Sequence, residues 1–229
     1  MGKTFIADRR EAGLLLAEKL VKYKNKNVMV LAIPRGGVVT GAALAQCLNF
    51  PLDIVLSKKI PHPLNPEFAI GSVASDVVLL DPANEVPKNY IEKEIERIKE
   101  ELIKKHKFLT GRENYPNLKN KTVILTDDGI ATGNTLLAAI EMLRNKEVAK
   151  IVVAVPIVPF DRVKKITDKV DDFIYLQAPG YFPGVGAFYR NFDQVTDDEV
   201  KHLLDENRHK LLEESESKES SILNNFYLF

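Results

Sequence analysis

The sequence predicts an α/β protein built on a doubly wound, mostly parallel sheet, with a small hood and a long flexible loop over one edge. Three observations carry that prediction. The runs VMVLAI (28–33), KTVILTD (121–127) and KIVVAVPIV (150–158) are continuously apolar rather than alternating, as strands buried on both faces are. Segments with helical spacing separate them. The loops that follow the first two runs, PRGG and DDGIATGNT, are rich in Gly at the passage from strand to helix.

Each element follows in order. Asp8 and Glu11 stand in capping-box spacing, and Leu14, Ala17, Leu20 and Val21 recur at helical intervals, so 9–23 is expected to be a helix packed on the sheet. The strand 28–33 leads through PRGG into a helix over 38–48 and a second strand, LDIVLS, over 52–57. From 58 to 75 the chain is broken by Pro61, Pro63 and Pro66, which predicts a long irregular loop. Residues 88–107 place Ile91, Ile95, Ile98 and Leu102 on one helical face, with Glu100/Lys104 and Glu101/Lys105 as solvent-side pairs. Strands at 121–127, 150–158 and 172–176 then alternate with helices at 135–146 and 160–170. QAPGYFPGVGAFYRNF (177–192) is aromatic and Gly-rich, and Thr196 and Glu199 open a closing helix with a second capping box.

The expected organisation is one domain over 1–215, with 58–118 forming a lid loop plus an inserted surface helix and 177–195 the hood. A tail over 216–229 has a polar, low-complexity start and an apolar end. At 229 residues, 45% hydrophobic and 28% charged with zero formal net charge, the chain resembles an ordinary globular protein, and bulk attraction to nucleic acid is excluded as its means of recognition. The one cysteine, Cys47, rules out an internal disulfide and is expected to be a small buried helix residue. No apolar run approaches a membrane span and the first residues lack a secretory core, so a cytoplasmic location without membrane partners is expected. His62, His106, His202 and His209 are scattered, mostly on faces expected to be exposed.

The chemistry concentrates in VILTDDGIATGNTLLAAI (123–140). In an open parallel sheet ligands bind beyond the carboxyl ends of the strands, so PRGG and DDGIATGNT should face one crevice. Backbone N–H groups of Ala131 to Asn134, freed by Gly133, together with the hydroxyls of Thr132 and Thr135, make a donor nest at a helix start that suits a phosphate. Asp127 and Asp128 would repel that phosphate and must face something else, such as sugar hydroxyls or a hydrated metal ion. A ribose 5-phosphate satisfies both halves of the loop. An isolated DDG is an ordinary strand-to-helix turn; the full string is more specific.

VILTDDGIATGNT resembles the phosphoribosyl-diphosphate (PRPP) signature of the type I phosphoribosyltransferases over roughly residues 1–200, and AIPRGG, LSKKIPHPLNPEFAIG and GAFYRNF place the resemblance in the branch labelled "predicted phosphoribosyltransferase". The resemblance implies that Asp127 and Asp128 hold the ribose hydroxyls and, directly or through water, help place Mg²⁺. It implies that Ala131, Thr132, Gly133, Asn134 and Thr135 cradle the 5-phosphate, and that Arg35, Gly36 and Gly37 approach the diphosphate, in a loop where the family commonly strains a non-proline peptide bond. Lys58 and Lys59, at the start of the lid, are suited to neutralise the leaving diphosphate. The partners implied are PRPP and a small-molecule acceptor, and homodimers are the family's habit.

Members acting on 6-oxopurines carry an aspartate three positions after the acidic pair, where this chain has Ala131, which argues against that acceptor class. Tyr181, Phe182, Phe188 and Tyr189 are candidates to sandwich a flat acceptor, or else an aromatic cluster anchoring the last helix, and Glu67 is a candidate general base. Two other classes fit parts of the pattern. A PRPP-sensing regulator would keep the sugar-phosphate loop without transferase activity; a receiver-type phosphoacceptor shares the acidic pair but lacks the T-G-x-T nest.

Overall fold

The computed structural model describes residues 5–75, 77–81 and 85–226. Its main sheet is formed by β1 (Val28–Ala32), β2 (Leu52–Ile54), β6 (Thr122–Thr126), β7 (Lys150–Ile157) and β8 (Asp172–Gln177). All five strands are parallel, in the order β2-β1-β6-β7-β8. The helices are α1 (Arg9–Leu20), α2 (Gly36–Leu48), α3 (Lys88–Thr110), α4 (Asn134–Asn145), α5 (Phe160–Thr167) and α6 (Asp197–Phe226). Continuous apolar runs become strands buried on both sides because alternate residues feed two cores. Val28, Val30 and Ala32 join the core shared with α1, α2, α3 and α6, while Met29, Leu31 and Ile33 join the one shared with α4 and α5.

From β1 the chain crosses through α2 to β2 on one side; from β6 it crosses through α4 to β7 on the other. The winding reverses between β1 and β6, and crevices for ligands form at such reversals.

The segment expected to be an irregular lid is instead a second, antiparallel sheet made of β3 (Ser57–His62), β4 (Asn65–Ala74) and β5 (Val77–Leu80), in that order. Its prolines are tolerated where no ladder N–H is needed. Pro61 sits at a register shift in β3, an edge strand, Pro63 falls in the turn, and Pro66 lies at the start of β4. Ile60, Ile70 and Val73 bury against the α3 side of the core, and Ala74, Val77 and Leu79 reach the α4 side. Residues 76 and 82–84 of the expected lid lie outside the described residues.

Both expected capping boxes form. Glu11 N donates to Asp8 Oδ1 at 2.9 Å, with the Glu11 carboxylate returning to Ala7 N. Thr196 Oγ1 accepts from Glu199 N at 3.2 Å while Thr196 N donates to Glu199 Oε2 at 2.6 Å. The buried stripe of α1 is rotated from expectation: Ala12, Gly13, Leu16, Ala17 and Leu20 are buried, and Leu14 and Val21 are exposed. The helix crosses α2 closely, and a Cβ on Gly13 would collide with the Thr40 carbonyl. Cys47 is exposed rather than buried. Of the α3 pairs, Glu100–Lys104 forms at 3.5 Å, whereas Glu101 turns to Lys58 and Arg97, and Lys105 to Asp197. Helix α6 continues to Phe226, through most of the expected tail; the last three residues lie outside the described residues. No helix among the described residues is long and apolar enough to cross a membrane.

His106 is fully buried, an exception among histidines expected mostly on exposed faces, and belongs to a polar unit under the edge of the main sheet. Asp53 accepts from Ile54 N at 2.7 Å and pairs with Arg112 at 2.6 Å; His106 Nε2 stands 3.6 Å away, its ring 4.1 Å from that of Tyr115. A buried carboxylate is tolerated only when its partners are in place. Asp53→Ala orphans the Ile54 N–H and releases Arg112, and is expected to cost about 1–3 kcal/mol in a urea or thermal melt. An unchanged midpoint would show that the unit contributes nothing to stability.

Candidate active site

The winding reversal sets two loops side by side. β1 and β6 pair as far as Ala32 and Thr126, and Ile33 N donates to Thr126 O at 2.9 Å. Residues 34–37 and 127–135 therefore leave the sheet together. They touch: a Cβ on Gly36 would collide with Asp128 Oδ2, and one on Gly37 would lie 2.8 Å from the Asp127 Cα. The Pro34–Arg35 peptide bond is cis, and Gly36 begins α2. The Arg35 side chain, about half exposed, lies 4.0 Å from Asp197.

In the acidic pair each carboxylate has one tethered oxygen. Asp127 Oδ1 accepts from Asp128 N at 2.8 Å, and Asp128 Oδ2 accepts from Arg9 Nε at 2.7 Å. To Asp127 Oδ2 and Asp128 Oδ1 no backbone N–H, hydroxyl or cation among the described residues donates. Burial first, and the neighbouring Asp128 charge second, hold the Asp127 pKa well above the ordinary carboxylate range; the Asp128 N–H and Arg9 pull it back only in part. Two adjacent open carboxylate oxygens suit a vicinal pair of hydroxyls, a cation, or both. Arg9 was invisible in the sequence, 119 positions from its partner; its place in a doubled arginine beside a capping box reads as ordinary helix-surface charge.

The expected anion nest follows directly. Gly133, at φ +80°, is the N-cap of α4, and no side chain caps this helix. Ile130 is buried and donates its N–H to Ile157 O at 2.8 Å, pinning the loop to β7, while Ala131, Thr132, Asn134 and Thr135 are exposed. No N–H from Ala131 to Thr135 donates to a protein group among the described residues. Free donors at a helix start attract an anion.

The antiparallel sheet brings lysine to this place. A cavity of about 290 Å³ lies between β3, β4 and the first turn of α4, lined by Lys58, Lys59, Gly71, Asp81, Asn134 and Thr135. Lys58 is drawn to Glu101 of α3, so of the two expected lysines Lys59, on the opposite face of the strand, is the one left toward α4. A larger cavity, about 450 Å³, lies at the far end of α4 beside Met142 and Lys146, away from both loops.

The hood corrects the aromatic assignment. Phe188 and Tyr189 are 3% and 6% exposed, packed with Ile6, Ala12 and Ile157, and present no face to a ligand. Phe188 stacks on Phe182 at 5.8 Å, and the Tyr189 hydroxyl donates to the Asp128 carbonyl at 2.7 Å. Burial, then the Asp128 charge, keeps that phenol protonated, its pKa raised above the ordinary value. Only Tyr181 of the four is freely exposed. Glu67 is exposed near the β3–β4 turn, its N–H donating to Asn65 Oδ1 at 3.3 Å, and touches no residue of the two loops among the described contacts. The sequence missed Phe160, 69% exposed after β7, whose N–H donates to Pro179 O at 3.1 Å and so ties the last two sheet-edge loops together. Among the described residues no group of three or more His, Cys, Asp or Glu could hold a metal by itself.

Two curated Mycobacterium tuberculosis proteins, from strains CDC 1551 / Oshkosh and H37Rv and both named "Putative phosphoribosyl transferase", are 36% identical over 204 residues, 86% of this chain and 46% of theirs. The chain thus spans about half the length of these curated relatives. A crystal structure from Thermus thermophilus is 35% identical, covers 87% of this chain and 97% of its own, and superposes with a TM-score of 0.76. Residues 9–178 match the family model described as "Phosphoribosyl transferase domain", a stretch holding both crevice loops, and the chain belongs to that family.

Proposed function

We propose that this chain is a Mg²⁺-dependent phosphoribosyltransferase that moves ribose 5-phosphate from PRPP to a nitrogenous base or related acceptor and releases diphosphate. The observation that carries the reading is the juxtaposition of two open carboxylate oxygens, on Asp127 and Asp128, with an uncapped helix start at Gly133. A ribose 5-phosphate presents the matching pair, hydroxyls at one end and a dianion at the other.

In this reading the N–H groups of Ala131 to Thr135 and the Thr132 and Thr135 hydroxyls hold the 5-phosphate, while Asp127 and Asp128 take the ribose hydroxyls. The Arg35-Gly36 and Gly36-Gly37 peptides approach the diphosphate, and Lys59 supplies positive charge from β3. As the bond from the anomeric carbon to diphosphate breaks, its electron pair leaves on the diphosphate oxygen and positive charge grows on the sugar, which the acidic pair tolerates. The residues fit Mg²⁺ in part. Two carboxylates are what such an ion takes from a protein when substrate oxygens and water complete its shell, and when bound it supplies charge neutralisation for the departing diphosphate. Ala131 offers no acid or base to a 6-oxopurine, which supports another acceptor class; Tyr181 and Phe160, exposed just after β8 and β7 respectively, would offer it stacking surface.

The test is diphosphate release from PRPP and Mg²⁺ across a panel of purines, pyrimidines and amines, run beside calorimetric PRPP binding. Turnover with one acceptor class is expected. Binding without release from any acceptor would favour a PRPP-sensing regulator, and the absence of binding would sink the assignment of the site. Lys59→Ala is expected to weaken PRPP binding about tenfold, the equivalent of about 1.4 kcal/mol. An unchanged affinity would remove Lys59 from the site.

A further inference from the structure

Arg9 joins three stretches of chain that are far apart in sequence. Its Nε donates to Asp128 Oδ2 at 2.7 Å, its Nη1 donates to the Asp193 carbonyl at 2.8 Å, and its guanidinium carbon lies 3.7 Å from the centre of the Phe192 ring. The side chain is only 11% exposed. Among the described residues it is the one cation in ion-pair reach of Asp127 or Asp128. Two directed hydrogen bonds and a stacked ring fix the guanidinium fork, which a lysine's single ammonium would not reproduce.

Gly36 is shaped to this pair as much as to any ligand. A Cβ there would collide with Asp128 Oδ2 and stand 2.8 Å from Arg9 Nε. The hood is fastened to the same spot, because the Tyr189 hydroxyl donates to the Asp128 carbonyl and a Cβ on Gly129 would meet Val185 at 2.5 Å. Without a counter-ion, two neighbouring carboxylates repel and turn apart.

We infer that Arg9 is a positioning residue for the sugar: by holding Asp128 Oδ2 it keeps Asp128 Oδ1 beside Asp127 Oδ2, so the pair meets a vicinal diol as a fixed unit. This rests on the sugar-phosphate reading of the site. Arg9 acts through Asp128 and makes no contact with the phosphate nest, which separates its role from general folding. The diol contact is present in the ground and transition states alike and reads out in KM, while an Arg9 substitution leaves both carboxylate charges beside the developing cation, so kcat stays nearly in place.

The experiment uses the full chain and three variants, Arg9→Gln, Arg9→Lys and Phe192→Leu, with ribose 5-phosphate and inorganic phosphate as separate calorimetric probes and PRPP kinetics beside them. Arg9→Gln is expected to weaken ribose 5-phosphate about tenfold and raise the PRPP KM to match, with kcat within about threefold and inorganic phosphate affinity unchanged. Arg9→Lys is expected to recover part of the loss, and Phe192→Leu, which keeps the charge but removes its platform, to lose less than Arg9→Gln. Equal weakening of inorganic phosphate, or ribose 5-phosphate affinity unchanged in Arg9→Gln, would overturn the inference while leaving the sugar-phosphate reading intact. Wild-type protein that binds neither ribose 5-phosphate nor PRPP would overturn both.

Discussion

The double substitution Asp127→Asn/Asp128→Asn is expected to lower diphosphate release by about 10³-fold, since placed charges of this kind are typically worth 10²–10³ in rate. Amides keep the volume and can still hydrogen-bond a hydroxyl. In the proposed reaction they lose the negative charge that would tolerate the growing positive charge on the sugar and draw in Mg²⁺. Turnover that survives the double substitution would refute the placement of the chemistry in this loop.

Asp127 alone carries a second expected result, of opposite sign. Its pKa in the folded protein lies above the unfolded value of about 3.9, so the folded state holds this proton more tightly than the unfolded chain. The stability this contributes is fully present below the unfolded pKa and is lost as pH rises through the folded one. At neutral pH the charged form is therefore a cost to the empty fold. Asp127→Asn is expected to melt at or above wild type at pH 7, with the gap closing as the pH falls toward 4. A variant that melts lower at every pH would show that the carboxylate stabilises the fold. A carboxylate proposed for the chemistry would thus work against the stability of the empty protein.

The second large effect is expected at Gly36. Alanine there drives a Cβ into Asp128 Oδ2, with the Arg9 Nε at 2.8 Å, so either the acidic loop or the start of α2 must move. Overpacking of this kind costs about 1–3 kcal/mol, and the displaced carboxylate should weaken PRPP binding by at least about tenfold. Gly180→Ala is the matched control, because a Cβ there meets nothing within 4 Å. Calorimetry and a thermal melt of both variants decide the matter: equal behaviour would show that the two loops are not held as closely as their contact implies.

The parallel sheet was legible because strands buried on both faces leave continuous apolar runs, which little else in a chain this short produces. The order of the two crevice loops followed from their position after strands, and Gly133 announced the start of α4. The antiparallel sheet was not legible. Pro61, Pro63 and Pro66 are strong breakers in a local reading, and their tolerance depends on the edge position of β3 and its register shift, which are facts about neighbours. The burial of His106 and Asp53 was hidden for the same reason, since a buried polar residue is explained only by partners elsewhere in the chain. Phe188 and Tyr189 show the converse. Aromatic composition left both a ligand surface and a packing cluster open, and packing against Ile6 and Ile157 turned both rings inward. In α1 the apolar spacing was real but named the wrong stripe, because the close crossing at Gly13 rotates the helix toward α2.

The bare first turn of α4 has a consequence for the protein's behaviour in a cell-like mixture. With Gly133 as N-cap, the missing side chain leaves this helix end short by roughly a few tenths of a kcal/mol, and the proposed 5-phosphate would fill that place. Ligand occupancy and fold stability are then linked by mass action, with about 2.7 kcal/mol gained at a ligand concentration of 100 times Kd. The melting temperature should rise steadily with sugar-phosphate concentration, so the starved protein is the fragile one and the supplied protein the durable one.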